Sequence, residues 1–311
     1  MIIEAPINSL EGAKIQIELG AKAVYLGYST EKMKNMSLTG RGSYSVQGVK
    51  SNIENISEVE EIVNYAHSKD VKVLYTANVP SLAEPFEDMY LEHVRYGVEA
   101  GVDAIIAGDI IEIMLIKKYY NIPIIASTFL DTFNVGQIKF LEDLGVSAVV
   151  LPQHLKMEEI EEIRKNTKLE LILFGNYGCS NNNGRCFLLH RLGENKDIGI
   201  PCRAEYCISC NKKEKATDTI MDQGEDCIIC ALPYLIESGI DSIKIIDRCK
   251  PAEEIAPYIK VCNDAIEHFK AGGTVEEFKK ILFGYAPWWE EEFCENKRCR
   301  YIKSERTKNY S

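Results

Sequence analysis

The sequence predicts a (β/α)8 barrel of the TIM type, with a long cysteine-rich insertion after its seventh strand. Three observations predict it. Four times a helix-like stretch ends in glycine and passes, one position later, into a β-branched run; eight short apolar runs alternate with amphipathic stretches; and two connections are far longer than the rest.

The first strand is read at Ile2 to Glu4, and the second follows Leu19-Gly20 in the run ending Ala23-Val24-Tyr25. Val71 to Tyr75 is the third, introduced by a helix from Ser57 to Lys69. In that helix Ser57 and Glu60 form a capping box, Val59, Ile62, Val63 and Ala66 make one apolar stripe, and Glu58, Glu61, Asn64 and Ser68 make the wet face. The fourth strand follows Ala100-Gly101, the fifth is Pro123 to Ala126, the sixth follows Leu144-Gly145, the seventh is Leu169 to Phe174 and the eighth follows Ser238-Gly239. Each of these glycines suits a left-handed helix end feeding a strand. Short, nearly continuous apolar strands flanked by helices belong to a parallel sheet buried on both faces, and eight β-then-α units point to closure; an open doubly wound sheet is the alternative. The division expected is a barrel over 1–272, including a metal-binding insertion at 175–226, then a C-terminal helix and basic tail over 273–311.

With 311 residues, 46% hydrophobic and 27% charged, the chain can bury a sizeable core. No apolar run approaches the roughly 18 residues of a membrane span. The net charge of −11 disfavours a phosphate backbone, so RNA is expected to be an unlikely partner despite the basic tail from Lys297 to Lys308.

Seven of the 11 cysteines lie between Cys179 and Cys230, in a polar stretch that has no core to fill. Spacings of C-x6-C and two of C-x2-C suit soft-metal ligation; the other readings are disulfides or free thiols. The opening Met1-Ile2-Ile3-Glu4 has no charged region or cleavage site of a signal peptide, so a reduced cytoplasmic protein is expected. Cys207-x2-Cys210 with Cys227-x2-Cys230 also has zinc-ribbon spacing, and Cys294 and Cys299 could join Cys207 and Cys210 as a second ligand set. Cys249 and Cys262 read as packing residues.

The stretch Ala5 to Ala13, with Gly20-Ala21-Lys22-Ala23-Val24-Tyr25-Leu26-Gly27, resembles the opening of the collagenase-like peptidase family U-32. Gly184-Arg185-Cys186 after Cys179 resembles its cysteine signature, and further matches fall at Ala126-Ser127-Thr128 and Gly239 to Lys244. The resemblance implies a [4Fe–4S] cluster on Cys179, Cys186, Cys202 and Cys227, with zinc as the alternative. It implies oxygen-independent hydroxylation, known in relatives for ubiquinone precursors, tRNA uridine or ribosomal RNA cytidine, with prephenate implicated as hydroxyl donor. Departures stand at Gln47 and Gln153, where the family has arginines, at Gly175-Asn176 for its His-Gly, and at Ile246-Asp247-Arg248 for its Glu-Gly-Arg. Loss of directional arginine–carboxylate contacts implies a shifted substrate. Similarity in size to the short quinone-type members implies a small aromatic or lipid-like substrate and a hetero-oligomer with a paralogue. A peptidase and a non-catalytic, cluster-bearing partner subunit are the other classes.

Polar residues at predicted strand C-terminal ends are the candidate site: Asn78, Asp109, Thr128, Asp131, Gln153, His154, Asp247 and Arg248, any of which could instead cap the next helix. His154, Asp109 and Asp131 are the proton-transfer candidates. Substrate binding is assigned to Tyr44, Gln47, Asn78, Thr128, Gln153, Asn176, Tyr177, Asp247 and Arg248, with the two tyrosines as stacking surfaces. The chain has no H-E-x-x-H or G-x-S-x-G. Trp288-Trp289 reads as a clamp onto the barrel or a partner.

Overall fold

A computed structural model describes residues 1–30, 45–46, 49–79, 82–179, 206–211, 213–218 and 222–301. Eight parallel strands close into a barrel: β1 (Ile2–Pro6), β2 (Ala23–Leu26), β3 (Lys72–Thr76), β4 (Ala104–Ala107), β5 (Ile124–Ala126), β6 (Ala148–Val150), β7 (Glu170–Phe174) and β8 (Ser242–Lys244). Each strand pairs with its sequence neighbour, and β1 pairs with both β2 and β8, which removes the open-sheet alternative.

The helices are α1 (Leu10–Glu18), α2 (Ile56–Ser68), α3 (Glu87–Glu99), α4 (Ile110–Tyr119), α5 (Val135–Asp143), α6 (Met157–Lys165), α7 (Leu232–Glu237), α8 (Ala252–Lys270) and α9 (Val275–Tyr285). All four predicted glycine ends adopt positive φ, at Gly20, Gly101, Gly145 and Gly239. The stripe Val59, Ile62, Val63 and Ala66 is buried as expected. The predicted cap of that helix is corrected: it lies two residues earlier, at Asn55, which accepts from Ser57 N, so Ser57 lies inside the first turn. Asn caps at least as well as Ser, and it comes first in the chain.

Because the strands alternate, one set of side chains packs outward on the helices and the other fills the barrel. The inner set includes Tyr25, Leu74, Ile106, Val150, Ile172 and Phe174. It also holds an ion pair. Glu4 and Lys244 are direct neighbours in the β1–β8 register, their side chains 4% and 8% exposed, with Nζ 3.0 Å from Oε2. Ser242 Oγ donates to the other oxygen of Glu4 at 2.6 Å. No described helix is long and apolar enough to cross a membrane.

Candidate functional site

Where the strands end, a cavity of about 90 Å³ opens at the barrel mouth. Its charged lining residues among those described are Lys244, which is paired with Glu4, and Arg248; no described Asp or Glu lines it. Lys244 Nζ sits 3.4 Å from the ring centroid of Tyr25, and Tyr25 OH donates to Ile245 O at 2.8 Å, so a cation–aromatic stack forms the floor. Arg248 Nη1 donates to Thr76 Oγ1 at 2.7 Å, and Thr76 Oγ1 donates to Leu26 O at 2.9 Å. This short relay fixes the guanidinium over β2 and β3.

Asn52 Nδ2 donates to Ser29 Oγ at 2.7 Å, while its Oδ1 is buried without a hydrogen-bond partner. Thr128 Oγ1 is in the same condition. An unmade bond on a buried polar atom is costly, so both atoms fit a ligand's polar hydrogen. Gly27 is what lets these groups meet: a Cβ there would lie 2.2 Å from Asn52 Oδ1, 2.3 Å from Arg248 Nη1 and 2.8 Å from Thr76 Oγ1. On the far wall Asn78 Nδ2 donates to Ser127 Oγ at 3.1 Å. Glu112 holds that wall, accepting from Val79 N at 2.9 Å and Gly108 N at 2.5 Å; burial raises its pKa well above the ordinary carboxylate value, and those two bonds oppose the rise.

Of the residues predicted for the site, Asn78, Thr128 and Arg248 converge on this cavity. Asn176 stands behind it, bonding Ile246 through both N–H and C=O and so tying β7 to β8. Asp247, at φ 108°, accepts from Cys249 N at 3.2 Å. Tyr177 OH donates to Glu225 Oε1 at 2.9 Å. Asp109 caps α4, and Asp131 ends the turn Thr128–Leu130 in a left-handed conformation. Gln153 is half-buried and His154 is exposed, its ring 6.1 Å from that of Phe133. None of Asp109, Asp131, Gln153 and His154 lines the cavity. Tyr44, Gln47, Cys186 and Cys202 lie outside the described residues, and Cys179 is described in its backbone only. Sequence reasoning did not assign Tyr25, Asn52, Thr76, Ser127 or Lys244 to the site; the available signal was a charged or polar residue recurring at inward-facing strand positions.

The foot of the insertion is an antiparallel pair, Tyr177–Cys179 against Asp222–Glu225. Glu225 anchors it to α8: Lys250 Nζ reaches one oxygen at 2.5 Å and Tyr258 OH donates to the other. Burial pushes the Glu225 pKa upward, but bonds from Lys250, Tyr258 and Tyr177 outweigh it and hold the carboxyl below its ordinary value. A C-terminal segment then closes over the foot. Arg300 pairs with Asp226 at 3.1 Å and donates to Tyr177 O at 2.7 Å, while Cys227 N donates to Arg298 O and Arg300 N donates to Cys227 O, each at 2.8 Å.

Trp289 is fully enclosed, 4.7 Å from Phe293 and 5.4 Å from Tyr258 between ring centroids, and donates Nε1–H to Cys227 Sγ at 3.3 Å. Burial pushes the Cys227 thiol up to about 12. Cys249 and Cys262 are buried, as packing residues should be. Among the described residues no three Cys, His, Asp or Glu side chains are grouped to hold a metal. Of the four-thiol set the structure describes Cys227, enclosed and accepting the Trp289 N–H, and the backbone of Cys179, paired with Asp222.

Fold and site together define a (β/α)8 barrel protein whose mouth is lined by Lys244 and Arg248. The sequence profile of peptidase family U32 matches residues 8–297, and the chain belongs to that family. It is 26% identical over 285 residues to tRNA hydroxylation protein P1 of Bacillus subtilis, covering 86% of this chain and 63% of the relative. It is 28% identical over 300 residues to an uncharacterized protease of Methanocaldococcus jannaschii, covering 89% and 69%. Among solved structures, a U32 peptidase superposes with a TM-score of 0.52 at 13% identity, covering 81% of this chain and 94% of the other, which shows the shared fold. The chain thus spans under two thirds of the length of the Bacillus relative.

Proposed function

We propose that the chain is an iron–sulfur, oxygen-independent hydroxylase-like enzyme whose barrel mouth binds a small hydroxy acid as oxygen donor. One observation carries this reading: in a chain of net charge −11, the described lining of the mouth cavity holds Arg248 and the Glu4-paired Lys244 and no carboxylate. Low-dielectric walls concentrate such a field and favour an anion. The unpartnered Asn52 Oδ1 and Thr128 Oγ1 then accept a ligand hydroxyl. The hydroxylation named for the Bacillus relative supplies the reaction class.

Arg248, steadied by Thr76, binds the carboxylate; Lys244 and Tyr25 form the floor; Asn52 and Thr128 orient the hydroxyl. Asn176 and Glu112 keep the surrounding loops in register without touching the ligand. A [4Fe–4S] cluster on Cys179, Cys186, Cys202 and Cys227 would supply one-electron chemistry at the foot of the insertion. Zinc is the alternative occupant. The tRNA named for the Bacillus relative removes the ground for setting RNA aside, so a nucleobase presented at the mouth is the first acceptor to test and a free aromatic ring the second. A reducing cytoplasm, a separate tail after residue 272 and pairing with an unlike family member belong to the same proposal. The peptidase alternative finds no histidine among the described lining residues.

The test is anaerobic purification with iron and sulfide counting, then calorimetric titration with small hydroxy acids and their methyl esters. About 4 Fe per chain with a preference for the free acid is expected. Equal binding of acid and ester, or a preparation containing zinc alone, would overturn it.

A further inference from the structure

Among the described residues lining the mouth cavity, Lys244 alone carries a primary amine, and its surroundings suit bond-making as well as attraction. The side chain is 8% exposed, with Nζ 3.0 Å from Glu4 Oε2. Ser242 Oγ holds the other oxygen of Glu4 at 2.6 Å, so that carboxylate meets the amine in a fixed direction. Both cations of the cavity face one ring: Lys244 Nζ lies 3.4 Å from the Tyr25 centroid and Arg248 Cζ lies 6.0 Å from it. Ile106, Val150, Phe174 and Ile246 supply apolar wall around them.

A buried ion pair is a weak source of stability, because desolvation of both charges offsets most of their attraction. It is a better source of chemistry when one partner is lysine, whose ammonium yields its proton in a dry site where a guanidinium keeps its own. Arg248 and Lys244 are therefore not equivalent cations. One can only bind; the other can also react.

We propose that Lys244 forms an imine with small 2-oxo acids, while Arg248 holds the carboxylate next to the reacting ketone. In such a molecule the carboxylate carbon is bonded directly to the ketone carbon, so one short ligand meets both cations. Glu4 takes a proton from the Lys244 ammonium. The freed lone pair attacks the ketone carbon as the C=O π pair moves to oxygen, and a proton passes from nitrogen to that oxygen, giving a carbinolamine. Glu4 returns its proton to the hydroxyl, which leaves as water while the nitrogen lone pair closes C=N. One ketone and one ammonium become one iminium and one water, and nothing is oxidised or reduced. The unpartnered Asn52 Oδ1 and Thr128 Oγ1 are acceptors for the carbinolamine hydroxyl. The positive charge stays on the same nitrogen, so the Glu4 carboxylate and the Tyr25 face that hold the ammonium also hold the iminium. This inference rests on the mouth as an anion site and is independent of iron or zinc.

The experiment incubates the full chain with pyruvate and sodium cyanoborohydride, which fixes an imine as a stable secondary amine, and maps the modified lysines by mass spectrometry. Lys244 should be labelled about tenfold faster than the exposed Lys14, and about tenfold faster by pyruvate than by acetone, which lacks the carboxylate. Lys244→Arg, which keeps a cation opposite Glu4 but forms no imine, should lose this label and keep the slow surface labelling. Labelling of Lys244 no faster than Lys14, or equally by pyruvate and acetone, would overturn the assignment. If calorimetry still shows hydroxy acids preferred over their esters, the imine alone falls; if that preference is missing too, the anion site falls with it.

Discussion

Replacing Gly27 by alanine tests the mouth with a single methyl group. The new carbon would meet Asn52 Oδ1 at 2.2 Å and Arg248 Nη1 at 2.3 Å, far inside contact distance, while the backbone of β2 is fixed by pairing on both sides. Overpacking of this kind costs about 1–3 kcal/mol if the wall resists. Arg248 is the flexible member, so relief comes from moving its guanidinium off Thr76, which gives up a charge-assisted bond worth about 1.5–3 kcal/mol. At about 1.4 kcal/mol per tenfold, hydroxy-acid affinity should fall roughly 10- to 100-fold. The readouts are calorimetric binding and urea unfolding on the same preparation. A Gly27→Ala chain that folds and binds the acid as tightly as the parent would refute the placement of Arg248 as the carboxylate ligand.

Removing one half of the buried Glu4–Lys244 pair should be far worse than removing both: Lys244→Met is expected to cost about 3–5 kcal/mol in urea unfolding, and adding Glu4→Gln should restore most of it. Glu225, whose pKa is held below 4.5, contributes stability that is full above that value and is lost as the pH falls through the depressed pKa; Glu225→Gln should flatten this acid limb in denaturation measured from pH 7 downward. Cys186→Ala should abolish the visible absorbance of anaerobically purified protein while far-ultraviolet circular dichroism keeps the barrel signal, and an unchanged spectrum would remove that residue from the ligand set.

The barrel was legible because its signals are local. Gly20, Gly101, Gly145 and Gly239 mark helix ends by a conformation other residues resist, and each is followed by a strand within four positions. The mouth was only partly legible, for a reason rooted in the fold. A strand buried on both faces shows no polarity alternation, so nothing in Ala23-Val24-Tyr25-Leu26 says which side chain looks inward. Tyr25 and Lys244 therefore read as strand members, although they form the floor of the cavity. Asn52 comes from outside the strands, and its place depends on Gly27, a contact across the chain. His154 illustrates the opposite case: its chemistry suits proton transfer, yet the loop after β6 turns it to solvent. The predicted cap at Ser57 was two residues late because two acceptable capping residues stood close together.

The clasp of Trp289, Arg298 and Arg300 on Cys227 has a consequence for biosynthesis. The nascent barrel strands can all emerge and pair while the segment that encloses Cys227 is still being translated, so that sulfur passes through a period of exposure. Any metal delivered to it would arrive either in that interval or by later parting of the clasp, and a ribosome stalled just before Trp289 should display a folded barrel with an alkylatable Cys227.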